Sequence, residues 1–201
     1  MWDALGKITH ERTPIVLFGT EPFSSRLRSS NLPIFRYDWI WVKDTHSNFL
    51  NARRQPCKRH ELISVFYRKQ ALYNPQHWKG EKNHTIGKAL GRVEKREIYS
   101  GKYAILNNDF GNDKMPISIL YYNRVRNNVF PTQKPVPLLE YLIRTYTHEG
   151  ANVLDFTMGS GSTGIACINT GRNFTGIEKD PAIFDLASGR IDDHLQNNKK
   201  K

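Results

Sequence analysis

Short apolar runs and alternating aromatic residues mark the first third of the chain. Residues 15–18 form an apolar run of the buried-strand type. In residues 37–43 the aromatic residues Tyr37, Trp39 and Trp41 alternate against Asp38 and Lys43, which predicts a second strand. Residues 61–69 predict a third. The pattern then disappears over residues 70–128, where Gly, Asn, Lys and Tyr are scattered, which predicts a loop-rich module of small strands and turns.

Regular patterns return after residue 130. Pro137 suits the first turn of a helix that Gly150 is expected to end. Its predicted single apolar face consists of Leu138, Leu139, Leu142, Ile143 and Tyr146. The following segments predict a strand at 152–157, a helix at 162–170, a strand at 173–179 and a helix at 180–195. This strand–helix–strand succession predicts a parallel, Rossmann-like sheet.

The composition of the 201 residues fits a globular protein with one domain and an inserted module. No apolar run has the length of a membrane span, and residues 1–18 lack the features of a signal peptide. Two cysteines are too few for a disulfide framework, and Cys57 with His60 has no second ligand pair for zinc. We therefore expect a cytoplasmic protein without membrane association and without a metal.

The net charge of +11 is concentrated in the middle of the chain. Residues 26–68 carry nine basic against three acidic side chains, and residues 69–128 carry eleven against five. Residues 129–201 carry eight of each. A basic region with interspersed Trp and Tyr suits a polyanion with stackable bases, although a basic surface over an aromatic core would give the same composition.

A glycine-rich turn lies between the predicted strand at 152–157 and the helix after it. Gly159, Gly161 and Gly164 match G-x-G-x-x-G, and Glu178 follows at the spacing of a ribose-binding acid. This pattern is shared by dinucleotide sites and S-adenosylmethionine sites. Asp155, just before the turn, would repel a pyrophosphate but suits a cofactor with an ammonium and a sulfonium group, which favours S-adenosylmethionine.

The whole C-terminal segment resembles a known family. "FPTQKP", "LDFTMGSGSTG" and "GIEKD" are similar to the cofactor-binding segments of the DNA amino-methyltransferases that modify adenine N6 or cytosine N4. "IVLFGTEPFSS", "YDWIWVK" and "KRHELISVFYRK" resemble strands of the catalytic half of the same family. The order of these segments is that of the permuted β group, which is common in bacteria and phages and in restriction–modification systems. The resemblance implies a three-layer αβα methyltransferase fold.

The resemblance also implies the role of individual residues toward S-adenosylmethionine. The lining of the methionine end would come from Asp155, Phe156, Gly159 and Gly161. Glu178 would bind the ribose hydroxyls, while Thr132 and Lys134 would lie at the edge of the cofactor.

The resemblance divides the chain into four parts. Residues 1–68 would be the catalytic half, 69–128 the target-recognition module, 129–195 the cofactor half and 196–201 a disordered tail. The implied partner is double-stranded DNA, from which the target base flips into the site. The candidate DNA-binding residues are Arg53, Arg54, Lys58, Arg59, Lys79, Lys82, Arg124 and Arg126.

One motif of the family is missing from the printed sequence. In these enzymes an Asp/Asn-Pro-Pro-Tyr/Phe tetrapeptide polarises the exocyclic amine. Three segments of the chain resemble this motif in part but do not match it: "EPF" at 21–23, "NLPIF" at 31–35 and "DPAIF" at 180–184. In the family the motif comes before the strand at 15–18. We therefore expect an N-terminally truncated, incomplete sheet that is inactive alone, with an upstream segment or a separate chain supplying the motif.

Two alternatives remain open from the sequence. The chain could be a catalytically dead DNA-binding remnant, since the tetrapeptide is absent, or an NAD-dependent oxidoreductase, since the glycine pattern is shared. Within the leading hypothesis adenine N6 is favoured over cytosine N4, because that activity is the commoner one among similar chains. The recognition sequence and the oligomeric state have no signal in the sequence.

Overall fold

The computed structural model describes residues 1–81 and 113–199, which form five α-helices and eight β-strands. The helices are α1 (Trp2–Ile8), α2 (Phe23–Ser29), α3 (Val136–Tyr146), α4 (Ser162–Thr170) and α5 (Pro181–Lys199). The strands are β1 (Ile15–Gly19), β2 (Phe35–Ser47), β3 (Lys58–Phe66), β4 (Trp78–Lys79), β5 (Asp113–Lys114), β6 (Ile119–Tyr121), β7 (Asn152–Asp155) and β8 (Asn173–Gly176). None of these helices combines the length and the apolar character that a membrane span needs.

The larger sheet has the order β1-β3-β2-β6. Strand β3 is antiparallel to both β1 and β2, and β6 is parallel to β2. All three strands predicted in the first third of the chain are present. Strand β2 is longer than its predicted span at both ends, because Phe35 pairs with Phe66 at its start and Ser47 pairs with Lys58 at its end.

The second sheet is the parallel pair β7–β8, with α4 as the crossover helix. Asp155 is opposite Gly176 in the register, so both strands end at the same edge. Helix α4 has the predicted bounds. Helix α5 begins as predicted, because the Asp180 side chain accepts hydrogen bonds from the N–H groups of Ala182 (2.9 Å) and Ile183 (3.2 Å).

Helix α3 is buried on two sides rather than on the single face that the sequence predicts. Leu138, Leu142 and Tyr146 pack into one core with Trp39, Trp41, Ile63, Val65 and Leu120 of the larger sheet. Leu139 and Ile143 pack into a second core with Ala166 and Cys167 of α4. The helix therefore joins the larger sheet to the β7–β8 pair.

Two helix ends differ from the sequence-based expectation. Helix α3 ends at Tyr146 rather than at Gly150, because Thr147 is extended and Arg172 donates to its carbonyl oxygen at 2.8 Å. Helix α5 reaches Lys199, so the predicted disordered tail at 196–201 is helical up to that residue, and Lys200 and Lys201 lie outside the described part. The short helix α2 is an additional element, since Phe23 and Leu27 are its only large apolar residues and two residues are too few to predict a helix.

A separate compact unit spans Pro75–Pro116. In its described residues β4 and β5 pair antiparallel, Trp78 opposite Lys114. The unit is narrower than the module predicted at 69–128, because β6 belongs to the larger sheet of the main unit. Residues 82–112, which make up most of that predicted module, lie outside the described residues.

Gly164 fixes the distance between α4 and its neighbours. A Cβ at this position would lie 2.6 Å from Ile191 Cδ1 and 2.9 Å from the Phe174 ring. We expect Gly164→Ala to lower the free energy of unfolding by about 1–3 kcal/mol, because the neighbours would have to move apart.

Gly189 in α5 is the matched control, since a Cβ added there would have no neighbouring atom within 4 Å. Gly189→Ala should raise the free energy of unfolding by roughly 0.5–1 kcal/mol through helix propensity alone. Denaturant unfolding of both variants measures the difference. Equal effects in the two variants would contradict the close packing at Gly164.

Candidate cofactor site

The turn between β7 and α4 is held by the carboxylate of Asp155. Asp155 Oδ1 accepts the N–H of Thr157 at 3.1 Å, and Oδ2 accepts the hydroxyl of Thr163 at 2.6 Å. Gly159 and Gly161 have φ values of 49° and 74°, in the left-handed region that favours glycine. The aspartate therefore fixes a turn that brings backbone N–H groups to the start of α4.

Glu178 ties the end of β8 to the same turn. One carboxylate oxygen accepts the N–H of Gly159 at 3.0 Å, and the other accepts the N–H groups of Lys179 (2.8 Å) and Asp180 (3.1 Å). The N–H groups of Asp180, Gly159 and Lys179 hold the pKa of the Glu178 carboxyl below its ordinary value of 4.5. Glu178 is therefore a charged acceptor at neutral pH.

A cavity of about 830 Å³ opens between this turn, strand β1 and helix α3. It contains most of the site residues predicted from the sequence, namely Asp155, Phe156, Gly159, Glu178, Thr132 and Lys134. Gly161 does not line it, because its Cα faces α5, where a Cβ would lie 3.0 Å from Ile191 Cδ1 and 3.1 Å from the Ala187 oxygen. A cofactor contact of Gly161 stays a prediction, and its observed role is helix packing.

Lys134 is anchored at the edge of the cavity by the larger sheet. Its ammonium lies 3.3 Å from Glu61 of β3, donates to the Thr132 carbonyl at 3.1 Å and lies 5.2 Å from the centre of the Phe18 ring. Glu61 also pairs with Lys43 of β2. Burial of the Glu61 carboxyl opposes ionisation, but the charges of Lys134 and Lys43 outweigh it and hold its pKa below the ordinary value.

The candidate DNA-binding residues fall into two groups. Arg53 and Arg54 are exposed on the turn between β2 and β3, and Arg124 and Arg126 are exposed in the loop after β6. The Arg124 N–H donates to Asp44 at the base of the hairpin (2.9 Å), which brings that loop to the hairpin. Lys58 and Arg59 begin β3, and Arg59 Nε donates to the Lys43 carbonyl at 2.8 Å. The structure thus brings six of the eight residues to one end of the larger sheet, around the β2–β3 hairpin.

The remaining two candidates belong to the second unit, Pro75–Pro116. Lys79 belongs to the unit at 75–116 and pairs with Asp113 at 2.5 Å. Lys82 lies outside the described residues. In the part of the chain that the structure describes, no group of three or more His, Cys, Asp or Glu side chains is arranged to hold a metal.

The family model for N6/N4 methyltransferases, described as DNA methylase, matches residues 17–189. The chain belongs to the N6/N4 DNA methylase family. This match confirms the resemblance inferred from the cofactor-binding segments.

The Type II methyltransferase M.BglI of Bacillus subtilis is 38% identical over 84 residues, which are 41% of this chain and 24% of that protein. The matches to curated relatives span about a quarter of their length.

Solved structures of DNA methyltransferases share the fold of this chain. The M1.HpyAVI structure, a SAM complex, has a TM-score of 0.63 and 25% sequence identity, covering 94% of this chain and 80% of that one. The cytosine-N4-specific PvuII DNA methyltransferase has a TM-score of 0.60 and 13% identity, covering 97% of this chain and 74% of that one. These similarities confirm the predicted α/β, Rossmann-like methyltransferase fold.

Two residues that support the candidate site carry no clear signal in the sequence. Thr163 was not singled out, although a hydroxyl at the start of α4 is a natural partner for Asp155. Glu61 carries no local signal, because its partner Lys134 is distant in the sequence and only the fold brings them together.

The ion pairs of Glu61 lead to a test of stability. Glu61→Gln should lower the free energy of unfolding at neutral pH by about 1–2 kcal/mol, because two ammonium groups lose their shared carboxylate. The pKa of Glu61 is lowered on folding, so this stabilisation is present above pH 4.5 and is lost as the pH falls through the lowered pKa. Denaturant unfolding of both proteins across that pH range measures it.

Glu11→Gln is the control, since Glu11 pairs with Lys69 where both side chains are more than half exposed. It should change the free energy of unfolding by less than about 0.5 kcal/mol. A difference for Glu61→Gln that did not shrink in acid would contradict the assigned ion pairs.

Proposed function

We propose that this chain binds S-adenosylmethionine in the cavity beside Asp155 and Glu178 and serves methyl transfer to an exocyclic amine of a flipped base in double-stranded DNA. The observation that carries the proposal is that both carboxylates, from the ends of adjacent parallel strands, line one cavity together with Thr132 and Lys134. A cytoplasmic location, as predicted from the sequence, belongs to this proposal.

The charge of the cavity supports this cofactor. Glu178 keeps acceptor capacity for ribose hydroxyls while its backbone bonds hold it in place. Asp155 provides negative charge near the turn, which suits the cationic methionine end and opposes a pyrophosphate. When bound, the cofactor supplies a methyl group on a positively charged sulfur.

The basic side chains at the hairpin end of the larger sheet support DNA as the partner. Arg53, Arg54, Arg124 and Arg126 are exposed there, and no ion pair occupies any of them among the described residues. Such a cluster suits a row of phosphates. Adenine N6 remains the preferred acceptor on the sequence-based argument, ahead of cytosine N4.

The chemistry also needs groups that polarise the exocyclic amine, which the family supplies from a Pro-Pro tetrapeptide that the printed sequence lacks. We assign its place to the cavity wall between β1 and β7. Within the described residues β1 pairs with β3 alone and β7 with β8 alone, and both strands line the cavity. An extended segment there would pair with both strand edges and place its residues beside Asp155. That segment would lie upstream in the same polypeptide or on a separate chain.

Cofactor binding is tested by calorimetric titration with S-adenosylhomocysteine and with NAD. We expect S-adenosylhomocysteine to bind and NAD to bind more weakly or not at all. Glu178→Gln should weaken the binding of S-adenosylhomocysteine by about tenfold, since a charged acceptor for ribose hydroxyls is lost. Asp192→Asn, an exposed acid of α5, is the control and should leave the affinity unchanged. Tighter binding of NAD would favour the oxidoreductase alternative instead.

The place of the missing tetrapeptide is tested by joining an extended segment with Asp-Pro-Pro-Tyr to the start of the chain through a flexible linker. We expect a higher free energy of unfolding and methyl transfer to duplex DNA, with the product base identified as N6-methyladenine or N4-methylcytosine. The same segment with Ala for the motif Asp should keep the added stability and lose the transfer. No gain in stability from either segment would reject this place for the motif.

A further inference from the structure

The turn between β2 and β3 presents two large apolar side chains to solvent. Phe49 is 71% exposed and Leu50 is 97% exposed, and they are neighbours in the sequence. Single exposed apolar residues are common on protein surfaces, but an adjacent pair of large ones in a hairpin turn is unusual. The pair lies outside the cofactor cavity and has no part in the proposed site.

The turn is closed by its own hydrogen bonds. Asn48 has a φ of 69°, and its side-chain oxygen accepts a hydrogen bond from the side-chain amide of Asn51 at 2.7 Å. The N–H groups of Ala52 and Arg54 donate to the carbonyls of Phe49 (2.9 Å) and Asn51 (2.8 Å). A partner that contacts Phe49 and Leu50 therefore finds the turn already formed, which lowers the ordering cost of binding.

The surroundings of the pair are basic. Arg53 and Arg54 follow directly and are exposed, and Arg124 and Arg126 lie in the adjoining loop. Asp44, at the hairpin base, accepts the Arg124 N–H, and this bond lowers the pKa of its carboxyl. An apolar tip with cationic flanks is complementary to a duplex, whose outside is anionic and whose interior is apolar.

The base of the hairpin is linked to the edge of the cofactor cavity by ion pairs. Lys43 and Glu61 pair across its base, and Glu61 also contacts Lys134, which lines the cavity. Asn48 lies five positions after Lys43, so the tip begins at most about 17 Å from that base along the strand. A duplex that presents a base to the cavity would thus pass beside the tip, which favours DNA over a membrane or a protein partner.

We propose that Phe49 and Leu50 form an apolar wedge that enters the duplex between bases while Arg53 and Arg54 hold neighbouring phosphates. The wedge would take up the space and the apolar contacts that a base loses when it leaves the stack. This inference rests on the proposed DNA methyltransferase function and adds the segment that separates the bases.

The test compares three variants of the full chain on a mixed-sequence duplex pool at several salt concentrations. Phe49→Ala combined with Leu50→Ala should weaken duplex binding by about tenfold and leave the salt dependence unchanged, because no phosphate contact is lost. Arg53→Gln combined with Arg54→Gln should lower the salt slope by about two. Leu32→Ala, an exposed leucine at the opposite end of β2, should bind as the wild type.

Permanganate reactivity of thymines in the bound duplex reports unstacking. It should rise with the wild type and return toward the free-duplex level with the Phe49/Leu50 double variant. If that variant matched the wild type in both affinity and reactivity, the wedge would be rejected while the proposed function stood.

If the wild type sedimented as a dimer and the double variant as a monomer, the tip would be a self-association contact and the wedge would again be rejected. Failure of the wild type to bind both duplex and S-adenosylhomocysteine would instead reject the proposed function itself.

Discussion

The main unit depends on the double burial of helix α3. The larger sheet and the β7–β8 pair share no ladder of hydrogen bonds among the described residues, so side-chain packing has to join them. Helix α3 does this with Leu138 and Leu142 on one side and Leu139 and Ile143 on the other. Because burial of each such side chain stabilises by roughly 1.5–3 kcal/mol, the helix fixes where the cofactor turn lies relative to β1.

The candidate site is built from charges that already have partners. Asp155 and Glu178 are held by backbone N–H groups and a threonine hydroxyl, and Lys134 is held by Glu61 from the larger sheet. Side chains fixed in this way need little reorganisation when a ligand arrives. The Lys134–Glu61 ion pair also ties the edge of the cavity to strand β3 of the larger sheet.

Sequence analysis predicted what local pattern determines. The bounds of α4, the N-cap of α5 by Asp180 and the pairing of β7 with β8 follow from period, glycine position and capping chemistry. It missed what only distant contacts determine. The end of α3 is set by Arg172, and the two-sided burial of α3 is invisible in a list of apolar positions. Gly161 matches a cofactor motif but packs against α5, since one pattern can serve both roles.

The cavity beside Asp155 and Glu178 is proposed to hold a methyl donor, and a crystal structure of the chain grown with S-adenosylhomocysteine would show whether it does. We expect ribose hydroxyls within hydrogen-bond distance of Glu178 and the amino-acid end of the ligand beside Asp155. A ligand bound away from the β7–α4 turn, or oriented with its ribose far from Glu178, would rule out this cofactor site.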